Sequence, residues 1–459
     1  MDRVSESRPA TANAQRTRID AAIASAERLC LFSSVLDDPP GQAYVTLLRT
    51  LLDPHDRGLI RRTAAALFHA LANAAVGGLP GPGDTWQRYL LGRVMADENP
   101  FSRAAQRFRF EEIPIGLREA ARRDLVAIGR LFALNGTRLS TAVGEILAEL
   151  PSWTDFEALG PDGAKDPLVA RFVSTTDLAE WADVLPELAA HYRSRGVGPF
   201  AGYRAFRWHH HPTGGRIQAI ARPDPISFAD LIGYADQRRV VQRNTESFLR
   251  GLPANNLLLY GDRGTGKSST VKALLNAYAE NGLRLIEVAK AALPDFPEII
   301  RILAERHERF IIFVDDLSFD ENEVGYKELK AILEGTLEAR PENVLLYATS
   351  NRRHLIQERF SDRVSPGDEV HAQDTLQEKL SLADRFGLTV IFTTPDQEQY
   401  LEIVAGLVER RGLAIDRTRL RREALQWAAW NNGRSGRTAR QFVDDLTASL
   451  AADGRQTSG

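Results

Sequence analysis

The sequence lacks most of the features of an extracellular or membrane-embedded protein. Cys30 is the only cysteine among 459 residues, which excludes an intramolecular disulfide and a cysteine-rich zinc site. No stretch reaches the roughly 18 apolar residues that a membrane-spanning helix needs. Residues 1–18 are polar and lack the apolar block of a secretory signal. We therefore expect a cytoplasmic, soluble protein without a membrane partner.

A strong charge of either sign is also missing. The formal net charge is -3, so the overall balance neither favours nor excludes nucleic acid as a partner. Hydrophobic residues make up 43% and charged residues 26%, which is typical of a folded globular protein. A chain of 459 residues exceeds the usual size of one hydrophobic core, which predicts two or three domains.

The pattern of apolar residues divides the chain into a helical half and a mixed half. Three- and four-residue spacing across 19–195 predicts an all-helical N-terminal domain. Residues 196–225 are rich in Gly and Pro and show little periodicity, which predicts an inter-domain linker. The polar ends, 1–18 and 451–459, are predicted to be disordered tails.

The second half contains short apolar runs separated by helical segments. The runs lie at 257–260, 283–286, 310–314, 344–347 and 388–392. Buried strands that alternate with helices predict a five-stranded parallel sheet with helices on both faces, over 226–394. The pattern becomes helical again over 395–450, which predicts a small C-terminal lid.

Residues 261–268 match the spacing of a phosphate-binding P-loop, between an apolar strand and an amphipathic helix. Glycines let the backbone turn its N–H groups toward phosphates. Lys267 supplies a cation for the β- and γ-phosphates, and the Ser268 hydroxyl can ligate magnesium. The predicted nucleotide-binding residues of this segment are Gly261, Asp262, Arg263, Gly264, Thr265, Gly266, Lys267, Ser268 and Ser269.

Polar side chains follow two further strands. Asp315 and Asp316 come directly after the apolar run 310–314, where open α/β sheets bind ligands. We assign Asp315 to the metal and Asp316 to activation of the attacking water. Asn351 follows the run 344–347 and is placed to position water near the γ-phosphate.

With these motifs, the second half resembles AAA+ ATPases. It closely resembles the bacterial ATP-binding proteins grouped as domain-of-unknown-function family 815. The resemblance covers about 227–446 and includes similar sequence segments at 381–388 and 434–442. It implies an α/β P-loop NTPase fold, ATP and Mg²⁺ as cofactors, and ATP hydrolysis.

The resemblance also implies roles for residues outside the P-loop. Asn351 matches the sensor-1 position, and Arg385 looks like the arginine finger that reaches a neighbouring subunit's γ-phosphate. Arg440 looks like the sensor-2 arginine of the lid, with Arg437 as its rival. Two further residues, Ile232 and Gly233, stand where AAA+ proteins usually contact adenine.

An arginine supplied in trans implies self-association into a ring or a helical array. The helical N-terminal domain is then expected to recognise an unidentified protein or nucleic-acid client. One departure concerns Asp316, where many AAA+ ATPases carry Glu, a longer side chain. A second is the absence of an aromatic-hydrophobic-glycine pore loop at 287–294, which disfavours threading of a polypeptide.

Two functions remain open at this point. One is an ATP-hydrolysing oligomer that remodels or loads a client. The other is a slowly hydrolysing, nucleotide-dependent switch or loader that acts with DNA or a protein partner. A third function, a scaffold with a vestigial site, is disfavoured because no expected nucleotide-site residue is missing. The histidines of the segment 208–211 invite interpretation as a metal site, but adjacent strand residues point to opposite faces. We predict a solvated linker there.

Overall fold

Two units make up the chain, Met1–Gly202 and Tyr203–Gly459. The computed structural model describes residues 7–53, 55–76, 83–143, 167–175, 177–211, 214–318, 329–330, 333, 341–351, 385–431 and 433–456. Residues 1–6 and 457–459 of the two expected tails, and 381–384 of the resembling segments, lie outside the described residues.

Every longer element described in the first unit is an α-helix, in line with the spacing of its apolar residues. Helix α1 begins at Ser7, inside the segment expected to be a disordered tail. The helices are α1 Ser7–Glu27, α2 Pro39–Leu51, α3 Arg57–Val76, α4 Thr85–Ala96, α5 Pro100–Arg107, α6 Ile115–Ala133, α7 Gly136–Val143, α8 Pro167–Ser174, α9 Leu185–Arg195 and α10 Pro199–Gly202.

Side-chain caps determine where some of these helices begin. Asp84 precedes α4 and accepts the backbone N–H of Gln87 at 2.9 Å, while the Gln87 side chain accepts the N–H of Asp84 at 3.1 Å. Asn99 precedes α5 and forms the equivalent reciprocal pair with Ser102. Such caps satisfy N–H groups that have no partner in the first turn of a helix.

An aromatic stack lies in the core of the first unit. The rings of Tyr44 and Trp86 are parallel, with centroids 3.6 Å apart. Tyr44 Oη donates to the carbonyl of Leu134 at 2.8 Å, and Trp86 Nε1 donates to that of Leu131 at 3.0 Å. Burial raises the pKa of the Tyr44 hydroxyl well above its ordinary value, so this hydroxyl remains a hydrogen-bond donor.

The second unit is built on a seven-stranded sheet of order β2-β1-β4-β5-β6-β3-β7. All neighbouring strands are parallel except β1 and β2, which form an antiparallel edge. The strands are β1 Ala205–His209, β2 Arg216–Ala219, β3 Leu257–Gly261, β4 Leu283–Glu287, β5 Arg309–Val314, β6 Val344–Ser350 and β7 Leu388–Phe392.

The predicted strand count of five was therefore wrong. Strands β3 to β7 correspond to the five apolar runs, but β1 and β2 arise from 196–225, the expected linker. Strand β1 joins the sheet because it pairs with β4, with Ala205 opposite Leu285. Its short sequence mixes Arg, Trp and His, and Trp208 is only 3% exposed. Periodicity alone could not identify so short an edge.

In the described part of the second unit, helices pack beside the sheet and form a separate lid. The lid has its own apolar core, which includes Tyr400, Val404, Ala424 and Phe442. Helix α16 extends into the expected C-terminal tail. The helices are α11 Ala235–Leu249, α12 Lys267–Tyr278 and α13 Phe296–Ala304 beside the sheet, and α14 Gln397–Arg410, α15 Arg417–Trp430 and α16 Gly436–Gln456 in the lid.

Parallel pairing brings the ends of three strands to one edge of the sheet. Tyr260 of β3 lies opposite Ser350 of β6, and Val314 of β5 lies opposite Ala348. The residues that follow these strands are therefore neighbours, although they are far apart in sequence. Among the described helices, none is both long and apolar enough to cross a bilayer.

We expect Gly129→Ala to destabilise the first unit. A Cβ at this buried position of α6 would lie 2.9 Å from the Trp181 ring, and such overpacking costs about 1–3 kcal/mol. Gly116→Ala in the same helix is the control, because a Cβ there meets nothing within 4 Å. Urea unfolding followed by tryptophan fluorescence compares the two variants. Equal midpoints would contradict the expected clash.

Candidate functional site

A cavity of about 680 Å³ lies at the edge of the sheet where β3, β5 and β6 end. Its wall combines the P-loop, the residues after β5 and β6, the segment before α11, and side chains from lid helices α14 and α16. The volume falls within the roughly 300–1,000 Å³ that is usual for small-ligand pockets.

The P-loop backbone depends on glycine at positions where other residues are strained. Gly261, Gly264 and Gly266 have φ values of 137°, 77° and 92°. At Gly261 there is a second reason, because a Cβ would lie 1.9 Å from the carbonyl oxygen of Phe392. The missing side chain therefore lets the loop leave β3 while in contact with the end of β7.

Lys267 is the first residue of α12, and its ammonium group faces the loop. Its Nζ donates to the carbonyl oxygens of Gly261 at 2.8 Å and Asp262 at 2.7 Å, and to Asn351 Oδ1 at 3.1 Å. Burial lowers the pKa of this lysine, and the nearby carboxylates, Asp262 first among them, oppose that shift. The lysine thus brings a cation to the helix N-terminus, a position that favours anions.

The acidic residues after β5 form a hydrogen-bonded group with Ser268. The Ser268 hydroxyl donates to Asp315 Oδ1 at 2.7 Å, and the Thr349 hydroxyl donates to the same oxygen. Thr349 Oγ1 also accepts the backbone N–H of Asp316 at 3.0 Å. Asn351 Nδ2 donates to Asp316 Oδ1 at 2.6 Å. A continuous network therefore joins the P-loop to both carboxylates.

The backbone of Asp316 is left-handed, with φ 52°, a conformation that aspartate adopts more readily than most residues. The strand geometry ends at Val314, and this turn directs the second carboxylate toward Asn351. Asp315 and Asp316 consequently have different partners, which fits two different tasks for the two acids.

A mainly apolar part of the cavity lies between the lid and the part of the second unit that contains the sheet. Ile232 lines it together with Ile403 and Leu407 of α14. A Cβ on Gly406 would lie 2.6 Å from Ile232 Cδ1, so glycine at that lid position permits the contact. Gly233 has φ 76°, and its carbonyl oxygen accepts a hydrogen bond from Arg238.

Most residues assigned from the sequence line this cavity, namely Ile232, Arg263, Gly264, Thr265, Gly266, Lys267, Ser268, Ser269, Asp315, Asp316, Asn351 and Arg440. Among the described residues with an assigned role, Gly233, Gly261, Asp262 and Arg385 are not part of the lining. Arg385 precedes β7 at the amino end of that strand, whereas the cavity lies at the carboxyl ends. Arg437 and Arg440 both line the cavity, so the choice between them stays open.

The histidine segment forms a hydrogen-bonded cluster. Trp208 Nε1 donates to Asp295 Oδ2 at 2.7 Å, and His210 Nδ1 lies 2.8 Å from the same oxygen. Within the described ranges, no three His, Cys, Asp or Glu side chains gather as a metal site.

The family described as "Protein of unknown function (DUF815)" matches residues 201–450, more than half of the chain. The chain belongs to the DUF815 family. Its sequence is also similar to the 26S proteasome regulatory subunit 6B homolog of Schizosaccharomyces pombe, 32% identical over 24% of this chain and 34% of that protein. An AAA-ATPase of Arabidopsis thaliana is 26% identical over 31% of this chain and 29% of that protein. The matches thus span about a third of these curated relatives.

Solved structures of the RuvB Holliday junction branch migration motor of Thermotoga maritima match with a TM-score of 0.30 and 15% identity, over 48% of this chain and 72% of that one. The resemblance to AAA+ ATPases of the DUF815 type is confirmed by the family match.

Several residues of the cavity were not predicted from the sequence. Thr349 bridges the two acids, and Arg238 and Asp230 line the cavity near Ile232. The available signal for Thr349 was a pair of hydroxyl residues, Thr349 and Ser350, at the end of the strand β6, which is buried throughout. No local sequence pattern predicts Arg238, because its side chain is placed by a hydrogen bond to the carbonyl of Gly233 in the turn before its helix.

We expect Gly261→Ala to destabilise the DUF815 chain more than Gly282→Ala. Both positions have positive φ, but a Cβ at Gly282 meets nothing within 4 Å. The control, Gly282→Ala, should lower the free energy of unfolding by about 1 kcal/mol, because alanine is strained in a left-handed backbone. The clash with Phe392 should add roughly 2 kcal/mol or more. Chemical denaturation of the full chain measures both, and equal losses would contradict the close approach described here.

Proposed function

We propose that this DUF815 protein hydrolyses ATP with Mg²⁺ as a AAA+ oligomer, and that it remodels or loads a client. One observation carries the proposal: the hydrogen-bonded network that runs from Lys267 through Asn351 and Asp316 to Asp315 and Ser268. It unites a phosphate-binding loop, a pair of acids and a positioning amide at one end of a ligand-sized cavity.

The P-loop and Lys267 are suited to the phosphates of ATP. Turned N–H groups, the N-terminus of α12 and a buried ammonium group present positive charge on one side of the cavity. Such charge is held in place before the substrate arrives, so little reorganisation opposes its effect on the transition state. Removal of the ammonium group should therefore weaken both binding and hydrolysis.

The oxygens of Ser268 and Asp315 fit Mg²⁺, which prefers hard oxygen ligands. The two groups lie 2.7 Å apart, and Thr349 orients the carboxylate from the other side. Bound Mg²⁺ would supply positive charge that neutralises the phosphate oxygens during transfer.

Asp316 is the proposed general base. Its carboxylate accepts a proton from the attacking water, while Asn351 fixes one carboxylate oxygen at 2.6 Å. Asn351 also touches Lys267 at 3.1 Å, so the amide connects the base with the phosphate-binding cation. This contact supports the sensor-1 role that the resemblance implies for Asn351.

Oligomer formation is supported by the position of Arg385. It precedes β7 at the amino end of the strand, away from the cavity of its own chain. An arginine placed there suits action on a neighbouring subunit. Arg440 of the lid lines the same chain's cavity and is the proposed sensor 2, with Arg437 as the alternative. The N-terminal helical unit is the proposed client-binding domain.

The decisive measurement is ATP turnover as a function of protein concentration. We expect Lys267→Ala to abolish turnover, and Asp316→Asn to lower kcat by roughly 10²-fold while nucleotide binding persists. We expect Arg385→Ala to lower kcat by about 10³-fold, because a finger arginine stabilises transition-state charge. The exposed lid residue Arg421 provides the control variant, Arg421→Ala, which should match the wild type.

Specific activity should rise with concentration as the oligomer forms. Turnover independent of concentration and insensitive to Arg385→Ala would remove the trans-arginine model. A wild-type protein that neither binds nor hydrolyses ATP would remove the proposed function itself.

A second candidate is the slowly hydrolysing switch or loader. The short side chain of Asp316, held by Asn351 on a left-handed backbone, is the observation that favours it. This candidate predicts a kcat on the order of 10⁻² s⁻¹ or below, as in switch-like NTPases. It also predicts faster turnover in Asp316→Glu, whose longer side chain reaches further. Fast wild-type turnover that falls in Asp316→Glu would contradict the switch.

A further inference from the structure

The core and the lid are joined by a short connector, residues 393–396. Strand β7 ends at Phe392, and Asp396 caps the first lid helix by accepting the N–H of Gln399 at 2.8 Å. A rotation of the lid relative to the sheet must be accommodated within these few residues, because both flanking elements are regular.

The P-loop residue Asp262 binds this connector. Its carboxylate accepts the backbone N–H of Thr394 at 2.9 Å and also the Thr394 hydroxyl. The backbone N–H of Asp262 donates to the carbonyl of Phe392 at 3.1 Å. The two bonds from Thr394 hold the pKa of the Asp262 carboxyl below its ordinary value. The carboxylate is thus committed to the connector, and Asp262 is not part of the cavity lining in the described chain.

A second residue, Tyr234, contacts the same connector. This residue lines the cavity beside Ile232, and its hydroxyl donates to the carbonyl of Thr393 at 2.6 Å. Its ring packs against Phe392 with centroids 5.2 Å apart. Two neighbouring connector residues, Thr393 and Thr394, are therefore bonded to residues adjacent to the proposed ligand positions.

The tip of the P-loop touches the lid directly. The N–H of Arg437 donates to the carbonyl of Gly264 at 3.1 Å, and a Cβ on Gly436 would lie 3.1 Å from that oxygen. The loop is consequently attached at its base to the connector and at its tip to helix α16.

We propose that Asp262 is a positioning residue that couples the P-loop to the lid through Thr394, rather than a nucleotide ligand. The inference rests on the proposed nucleotide-binding function and adds a route by which phosphate binding affects the lid. A shift of the loop on phosphate binding moves the Asp262 carboxylate, and Thr394 moves with it. The two charge-assisted bonds keep the connector in one arrangement relative to the sheet.

The test measures nucleotide affinity and lid position separately, in the full chain. Affinity is measured with a fluorescent ADP analogue in the presence of Mg²⁺. Lid position is measured as the distance between spin labels at Glu305→Cys in the core and Gln426→Cys in the lid, on a Cys30→Ser background. Exposed positions supply the matched controls Thr389→Val and Asp445→Ala.

For the pair at the connector, we expect Asp262→Ala to weaken ADP binding about five-fold and Thr394→Val about three-fold. The double variant should bind ADP about five-fold more weakly than the wild type. Independent effects would multiply to a loss of roughly fifteen-fold. Asp262→Asn retains an acceptor oxygen, so its affinity for ADP should stay within about two-fold of that of the wild type. Without nucleotide, Asp262→Ala and Thr394→Val should broaden the distance distribution, and the controls should not.

Three outcomes would overturn the proposal. One is a distance distribution that neither variant changes. Another is a loss of ADP binding in Asp262→Ala that Thr394→Val does not share, which would make Asp262 a direct ligand. The third is full additivity in the double variant. If the wild type fails to bind ADP, the proposed function is wrong, whereas the distance measurement without nucleotide still tests the coupling. Thermal unfolding of each variant verifies that it is folded.

Discussion

The close contact between the P-loop and the end of β7 is the constraint on which the junction between the sheet and the lid depends. At Gly261 a side chain would collide with the carbonyl of Phe392, so the loop and strand can approach only because glycine stands there. This approach brings the connector to the lid within hydrogen-bonding distance of Asp262, whose backbone carbonyl accepts a hydrogen bond from Lys267 Nζ. The P-loop and the junction between the sheet and the lid therefore share one packed region.

The parallel sheet supplies the remainder of the site. Because β3, β5 and β6 run in the same direction, their carboxyl ends deliver Lys267, Asp315 and Asn351 to one place. Thr349 then links the two acids by donating to one and accepting from the backbone of the other. The resulting hydrogen bonds orient both acidic residues relative to the P-loop.

The sheet also shows the limits of prediction from local pattern. Five apolar runs identified β3 to β7, because β3 to β6 are largely buried and consist mostly of apolar residues, and the edge strand β7 is still mostly apolar although Thr389 and Ile391 are exposed. Strands β1 and β2 escaped prediction, since each is short and lies in a segment rich in Gly and Pro. Their conformation comes from pairing with β4 and with each other. Tertiary contact, rather than propensity, decides such edge strands.

The sequence by itself predicted the P-loop and the candidate site residues. Motif spacing identified Lys267, Ser268, Asp315 and Asn351, because the P-loop and the strand-end acids are local patterns with a physical meaning. Only the tertiary structure decided which of these side chains face the cavity. Asp262 belongs to the motif yet binds Thr394, a residue far along the chain, because the sheet order places β7 beside β3. Contacts between distant segments depend on strand order, which no local pattern encodes.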